Sequence, residues 1–368
     1  MKELLYRIAV TLLPGVGAVR ARSLLTHFPD VEEFFSASPA QLERLPGFNE
    51  QLVSRTIRKK ALEQARRETE FVEKHHIRTL WFLDDDYPSR LRHCNDAPIL
   101  LYLKGEVSFE SRKVLSIVGT RHATAYGIDR CNAIVAELAE NHPELLIVSG
   151  LAYGIDICAH RVALQHGLST VAVLGHGLHM IYPAAHRTTA REIIAQGGLL
   201  TEYSTQHTPD KKNFIARNRI IAGLADATLV VESGEKGGAL ITADLASSYH
   251  REVFALPGRA TDERSRGCNR LIKTNQAALI ENAADLAYFL GWESPSQGPQ
   301  TIQPSLFPEL STEEQLLLDI LKEQNELPLD ELAALAALPV SKTSALLLNL
   351  ELAGLVRNLP GNLYKALG

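Results

Sequence analysis

The chain has 368 residues, 45% of them hydrophobic and 22% charged, with a formal net charge of −5. This composition excludes wholesale disorder and leaves room for two or three globular domains. It also excludes a bulk polycation, so a nucleic-acid partner requires a local positive field. In chain order, residues 1–70 read as short amphipathic helices broken by Pro-Gly turns. LPGVGAVRARSLL (13–25) has the look of a helix-hairpin-helix of SAM-like type, whose hairpin N–H groups can hold a DNA phosphate, with Arg20 and Arg22 just behind it. ERLPGFN (43–49) is a second, weaker copy. Eleven basic residues stand against nine acidic ones in residues 1–70, a balance that supports at most weak DNA binding and equally a packing role.

Residues 71–292 alternate apolar strands with helical stretches. VLSIVGT (114–120), LLIVSG (145–150), TVAVLGHG (170–177), GLLTEY (198–203), ATLVVES (227–233) and EVFALPG (252–258) are β-branched runs that mostly end in Gly or Ser. Such strands alternating with helices specify a doubly wound parallel sheet covered on both faces, an α/β fold. WFLDDDYP and PILLYLKG, within 71–112, extend it. Residues 293–310, rich in Pro, Gln and Ser, read as a linker. Residues 311–368 return to helical periodicity and end in a hairpin, the pattern of a winged helix. Four basic residues there face eight acidic ones, and the recognition-like helix offers only Lys342. Protein contact or packing suits that segment better than DNA reading.

Ligands of a parallel sheet bind at the C-terminal strand ends. Four loops fall there: 119–127 with Arg121, 149–156 followed by His160, 175–178 with His176, and 232–242. The last places Gly237, Gly238 and the Thr242 hydroxyl at a helix start, where free N–H groups suit a phosphate. None is a dinucleotide fingerprint or a Walker loop, and ordinary βα turning is the alternative for each taken singly. The segment KKNFIARNRIIAG (211–223) carries Lys211, Lys212, Arg217 and Arg219 with no acid. Phe214 lies among them, beside Asn218. An aromatic ring among cations is what single-stranded nucleic acid needs, because bases stack on the ring and cations meet phosphates. A solvated basic helix with a core phenylalanine is the competing reading. Asp156 and His160, four residues apart, fit a structural hydrogen bond better than catalysis. No nucleophile elbow, zinc-protease motif or paired carboxylates occur. The four scattered cysteines carry no CxxC pair and read as reduced structural thiols. No cofactor and no metal is expected. With no apolar run of ~18 residues and no signal-peptide pattern, a cytoplasmic location without membrane association is expected.

SGLAYGIDICAH, AVLGHGLHMIYP, FIARNRIIAGLADATLVVES, GGALITA and VFALPG together resemble the DNA-processing protein A family (DprA, also called Smf). The resemblance covers most of residues 80–290. It implies an extended Rossmann-like domain that binds single-stranded DNA, with no established catalytic activity. It also implies a recombination mediator of natural transformation that loads the RecA recombinase, counters single-strand-binding protein and forms homodimers. By the same resemblance Arg121 is a DNA-contacting arginine. Lys211 and Phe214 stand at the family's lysine and base-stacking positions, and Lys212 beside them is a further candidate contact. Arg217, Asn218 and Arg219 match its R-N-R, and Gly237, Gly238 and Thr242 its phosphate-approaching loop. Three positions depart from the pattern: Tyr153 replaces an arginine, which removes one cation at the cleft but supplies a ring that can stack instead, Ile215 replaces a proline, and Gly237-Gly238 a Ser-Gly pair. The alternative is a nucleotide-processing Rossmann enzyme resembling nucleoside-monophosphate phosphoribohydrolases, whose P-G-G-x-G-T loop is missing here. A winged-helix regulator with a ligand-sensing Rossmann domain is a third reading, disfavoured by the acidic C-terminal segment.

Overall fold

The computed structural model describes residues 2–43, 54–111, 113–292 and 310–367. The second hairpin copy, apart from Glu43, and the linker, apart from Leu310, lie outside these residues. One nine-stranded sheet runs through the middle of the chain in the order β1-β2-β6-β5-β4-β3-β7-β8-β9. Its strands are β1 (Arg78–Trp81), β2 (Leu100–Gly105), β3 (Val114–Val118), β4 (Leu146–Ser149), β5 (Ser169–Val173), β6 (Gly197–Thr201), β7 (Ala227–Val230), β8 (Glu252–Ala255) and β9 (Ala278–Leu279). The six apolar runs read from the sequence are β3 to β8. From β6 across to β9 every pairing is parallel.

The expected parallel order gives way at one edge. Strand β2 pairs antiparallel with both β6 and β1. The connection between β1 and β2 carries only the single turn Ser89–Arg92, too little for the helical crossover that a parallel pair requires.

Alternation along each strand feeds two cores. Val114 and Val118 of β3 point to one face, Leu115 and Ile117 to the other. Helices Lys211–Leu224 and Gly238–Ser248 cover the first face through Ile220, Ile221, Leu240 and Ala243. Helices Ala125–Asn141 and Ile155–Gln165 cover the second through Ile134, Val135 and Ala159. Full burial on both sides is why the strands are apolar at nearly every position. The chain leaves β3 towards β4 on one side and returns to β7 on the other. The C-terminal ends of β3 and β7 therefore flank the topological switch point, where such sheets open a crevice.

The N-terminal helices share their core with the antiparallel edge, where Ile8, Leu24 and Phe34 pack with Trp81, Leu100 and Tyr102. Buried Glu68, in helix Arg55–Lys74, accepts the Thr205 N–H at 3.0 Å and also the Thr205 hydroxyl. The cations behind the first hairpin are used internally. Arg20 donates to Gly15 O at 3.0 Å, and Arg22 to Cys94 O at 2.8 Å.

At the other end, helices Thr312–Gln324, Leu329–Leu335 and Val340–Leu352 pack with a three-stranded sheet of β10 (Glu326–Pro328), β12 (Leu363–Ala366) and β11 (Val356–Leu359) around their own core. This is a winged helix. Lys342 on the recognition-position helix pairs with Glu313 at 2.5 Å, so even that one cation is neutralised locally. The wing rests on the start of β8, where Gly361 N–H donates to His250 O at 2.8 Å. Among the described residues no single helix is long and apolar enough to cross a membrane.

Candidate nucleic-acid interface

A cleft of about 770 Å³ opens at the switch point. One wall is the loop after β3. Its shape is set by Glu232, a buried carboxylate that accepts the Thr124 N–H and hydroxyl, both at 2.8 Å, while Thr120 N–H donates to Glu232 O at 2.7 Å. Gly154, with φ of 76°, lets this loop close down, since a Cβ there would collide with Thr120 O. The result holds Arg121 exposed at the rim.

Helix Lys211–Leu224 forms the second wall. Asp210 caps it by accepting the Lys212 N–H. Its first turn presents exposed Lys211 and half-buried Phe214 to the cleft. The Phe214 ring sits over Gly175, where a Cβ would come within 2.8 Å of it. Arg121 and Arg217 place their guanidinium carbons 5.8 and 6.0 Å from the ring centroid, within cation–π range.

The third wall is the start of helix Gly238–Ser248. Gly237 supplies no side-chain cap, and a Cβ on Gly238 would meet nothing. The space at that helix start is therefore open, as an anion site at a helix N-terminus requires. Lys236 and Arg270, both exposed, join the lining. Five cations line the cleft against the three carboxylates Asp156, Glu235 and Asp244. The net field is positive although the whole chain is acidic.

Arg121, Lys211, Phe214, Arg217, Asn218, Gly237, Gly238 and Thr242 are thus brought to one cleft; Lys212 and Arg219 are not. Exposure differs from expectation within the R-N-R segment. Arg217 is only 3% exposed and donates to Gly150 O at 2.8 Å and to Val173 O. Asn218 donates to Gly238 O at 3.3 Å, tying the two helices of the cleft together. Arg219 points away and pairs with Glu202, both side chains largely buried. The reason is periodicity: Arg217 shares a helix face with Ile221 and Leu224, which belong to the core. Thr242 is also buried, and its hydroxyl donates to Gly238 O at 3.3 Å, so its own capacity for a phosphate is already engaged.

Asp156 and His160 are not a pair. The Nδ1 of His160 lies 2.8 Å from the Thr170 hydroxyl, which itself donates to Ile147 O, so the imidazole donates there. Burial lowers its pKa to about 3, with Arg217 adding to the effect. Burial likewise raises Asp156, opposed by the neighbouring Arg217, while Arg217 is itself lowered to about 10 by burial. The floor of the cleft is a buried polar layer, and the exposed cations lie on its rim.

The sequence matches the family profile of DNA recombination-mediator protein A over residues 78–291. The chain belongs to this family. The DprA winged-helix domain profile matches residues 303–362, and a SAM-like helix-hairpin-helix tandem matches residues 8–59. Protein Smf of Synechocystis is 34% identical over 99% of this chain and 98% of its own length. DprA of Streptococcus pneumoniae is 41% identical over 55% of this chain and 71% of its own length. The X-ray structure of the pneumococcal protein superposes with a TM-score of 0.67 at 33% identity, covering 77% of this chain and 97% of that one. A DprA structure from Helicobacter pylori, described for its single-stranded DNA binding mode, superposes with a TM-score of 0.53 at 31% identity. It covers 59% of this chain and 96% of that one. A DNA-processing role of the DprA kind is therefore shown. The residues that the sequence left out of the interface are Lys236 and Arg270, both separated in sequence from the basic segment, and Tyr182, described below.

Proposed function

We propose that this DprA-family protein is a cytoplasmic, non-enzymatic single-stranded DNA-binding recombination mediator. In this reading it protects incoming single strands during natural transformation, loads RecA on them against single-strand-binding protein, and acts as a homodimer. The observation that carries the reading is the cleft itself, which sets exposed Arg121 and Lys211 around Phe214 beside the open N-terminus of helix Gly238–Ser248. Phosphate neutralisation and stacking need no groove, so unpaired strands are favoured with little sequence preference. The single-stranded DNA binding named for the H. pylori relative supports the same reading.

Titration of labelled oligo-dT and of a blunt duplex of equal length tests it. Oligo-dT is expected to bind more tightly, with log affinity falling against log salt by roughly 0.7 per phosphate neutralised. Equal affinity for both, or release of a base from a nucleoside monophosphate by the purified protein, would overturn it. The mediator step is read separately, by RecA filament assembly on strands already coated with single-strand-binding protein, which this protein is expected to accelerate.

A further inference from the structure

Phe214 and, in place of the family's arginine, Tyr153 are the rings expected to stack, yet Phe214 is half-buried. The exposed rings lie just beyond it. Tyr182 is 46% exposed, and its ring centroid is 5.6 Å from that of Phe214, the planes tilted by 35°. Tyr153 is 48% exposed, and its ring packs edge-on against His186 at 4.8 Å. Both lie in loops that leave C-terminal strand ends, Tyr153 after β4 and Tyr182 after β5.

Sheet order gives these positions a direction. The cleft sits between β3 and β7, and β4 and β5 follow β3 on the side away from β7. At ~4.8 Å per strand the rings continue the cleft sideways along the same edge of the sheet, over roughly 10 Å beyond β3. Both tyrosine loops are held from below by buried imidazoles. His176 places its Nδ1 3.0 Å from Gly177 O and accepts the Tyr182 N–H on Nε2 at 3.3 Å. His186 places Nδ1 2.8 Å from Leu151 O, two residues before Tyr153. Burial lowers the pKa of His176, which keeps Nε2 an acceptor at neutral pH. Neither tyrosine hydroxyl has a hydrogen-bond partner among the described residues, and neither ring fills a core. Two large exposed aromatics on braced loops beside a cationic cleft are a surface for flat apolar ligands, and unpaired bases match that chemistry where a duplex does not.

We propose that Tyr182 and Tyr153 form an outer base-stacking platform that continues the cleft, so that a single strand runs from Arg121 and Lys211 past Phe214 and out over the β5 end of the sheet. The proposal rests on the single-strand reading above. Tyr182 touches the bases, whereas His176 is a positioning residue that acts through the Tyr182 backbone.

The test is fluorescence anisotropy of the full-length protein with oligo-dT and with an abasic strand of the same length, for Tyr182→Ala, Tyr182→Phe and Lys211→Ala. Tyr182→Ala is expected to weaken oligo-dT binding about fivefold or more, the low end of a stacked base. It should leave the salt slope and abasic-strand affinity unchanged. Tyr182→Phe should bind as the parent does, since the ring is kept. Unchanged oligo-dT affinity in Tyr182→Ala, alongside loss in Lys211→Ala, overturns the platform and leaves the cleft standing. Failure of the unmodified protein to bind oligo-dT overturns both. If Tyr182→Ala weakens the abasic strand equally, the ring acts on the fold of the loop, and the stacking proposal falls.

Discussion

At the scale of single residues, burial separates the arginines of the cleft into two kinds. Arg217 is closed over by protein and bonded to two backbone carbonyls, whereas Arg121 stands exposed at the rim. Removing one partner of a buried charged network leaves the others uncompensated, so Arg217→Ala should cost about 3 kcal/mol or more of stability. Arg121→Ala should change stability by less than ~0.5 kcal/mol while weakening oligo-dT binding and lowering the salt slope by about 0.7. Urea midpoints and salt titrations of the two variants make the comparison. Equal stability loss would place Arg121 in the packed layer too. His160 adds a pH dependence with a definite sign. Its folded pKa of about 3 lies below the ordinary 6.5, so the unfolded chain takes up the proton first. Its contribution is intact above pH 6.5 and is lost as pH falls towards 3. Between pH 6.5 and 5 that amounts to about 2 kcal/mol. His160→Asn, which keeps a donor towards Thr170, should flatten the fall in urea midpoint over this range; an unchanged slope would assign the acid sensitivity to other groups.

At the scale of elements, the start of helix Gly238–Ser248 makes the clearest separation between fold and function. A Cβ at Gly238 meets open space, while one at Gly237 would come within 2.6 Å of Ser233 Oγ. Gly238→Leu should therefore fold normally and fill the cleft, cutting oligo-dT affinity at least tenfold, or ~1.4 kcal/mol. A Tm within about 2 °C of the parent would show that the loss belongs to the site, and undiminished affinity would move the phosphate elsewhere. The same helix start was legible in the sequence, since two glycines after an apolar strand point to a close backbone approach. Strands β3 to β8 were legible for a like reason, because burial on both faces writes itself as continuous β-branched runs. The antiparallel edge was not, as its strand directions depend on a short connection whose pairing partner β6 lies some ninety residues away. Arg217 could have been placed inward by its spacing of four and seven from Ile221 and Leu224. Arg219 could not, because its partner Glu202 comes from a different element. The exposure of Tyr182 was hidden as well, for an aromatic residue near a strand end reads equally well as core.

At the scale of the whole molecule, the sheet separates its two ends. The cleft lies at the C-terminal ends of β3 and β7, and the wing of the C-terminal domain rests on His250 and Arg251, at the N-terminal start of the parallel strand β8. Four strand residues at ~3.3 Å each put roughly 13 Å of sheet between them. The domain is also acidic, and its recognition-position helix exposes Leu348 and Leu352 where a DNA reader carries cations. The proposed boundary after residue 292 matters for testing this. Trp292 is buried against the second core, with its ring 6.0 Å from that of His142, so a cut must leave it in place. A chain ending at Trp292 should bind oligo-dT within about twofold of the full-length protein and with the same salt slope, because no cleft residue is removed. Its Tm should fall slightly, since Arg251 loses its bond to Pro360 O but keeps the one to Arg90 O at 2.9 Å. A drop in affinity beyond tenfold, ~1.4 kcal/mol, with the Tm preserved, would mean that DNA also reaches the winged helix, and that the strand must then cross from one end of the sheet to the other.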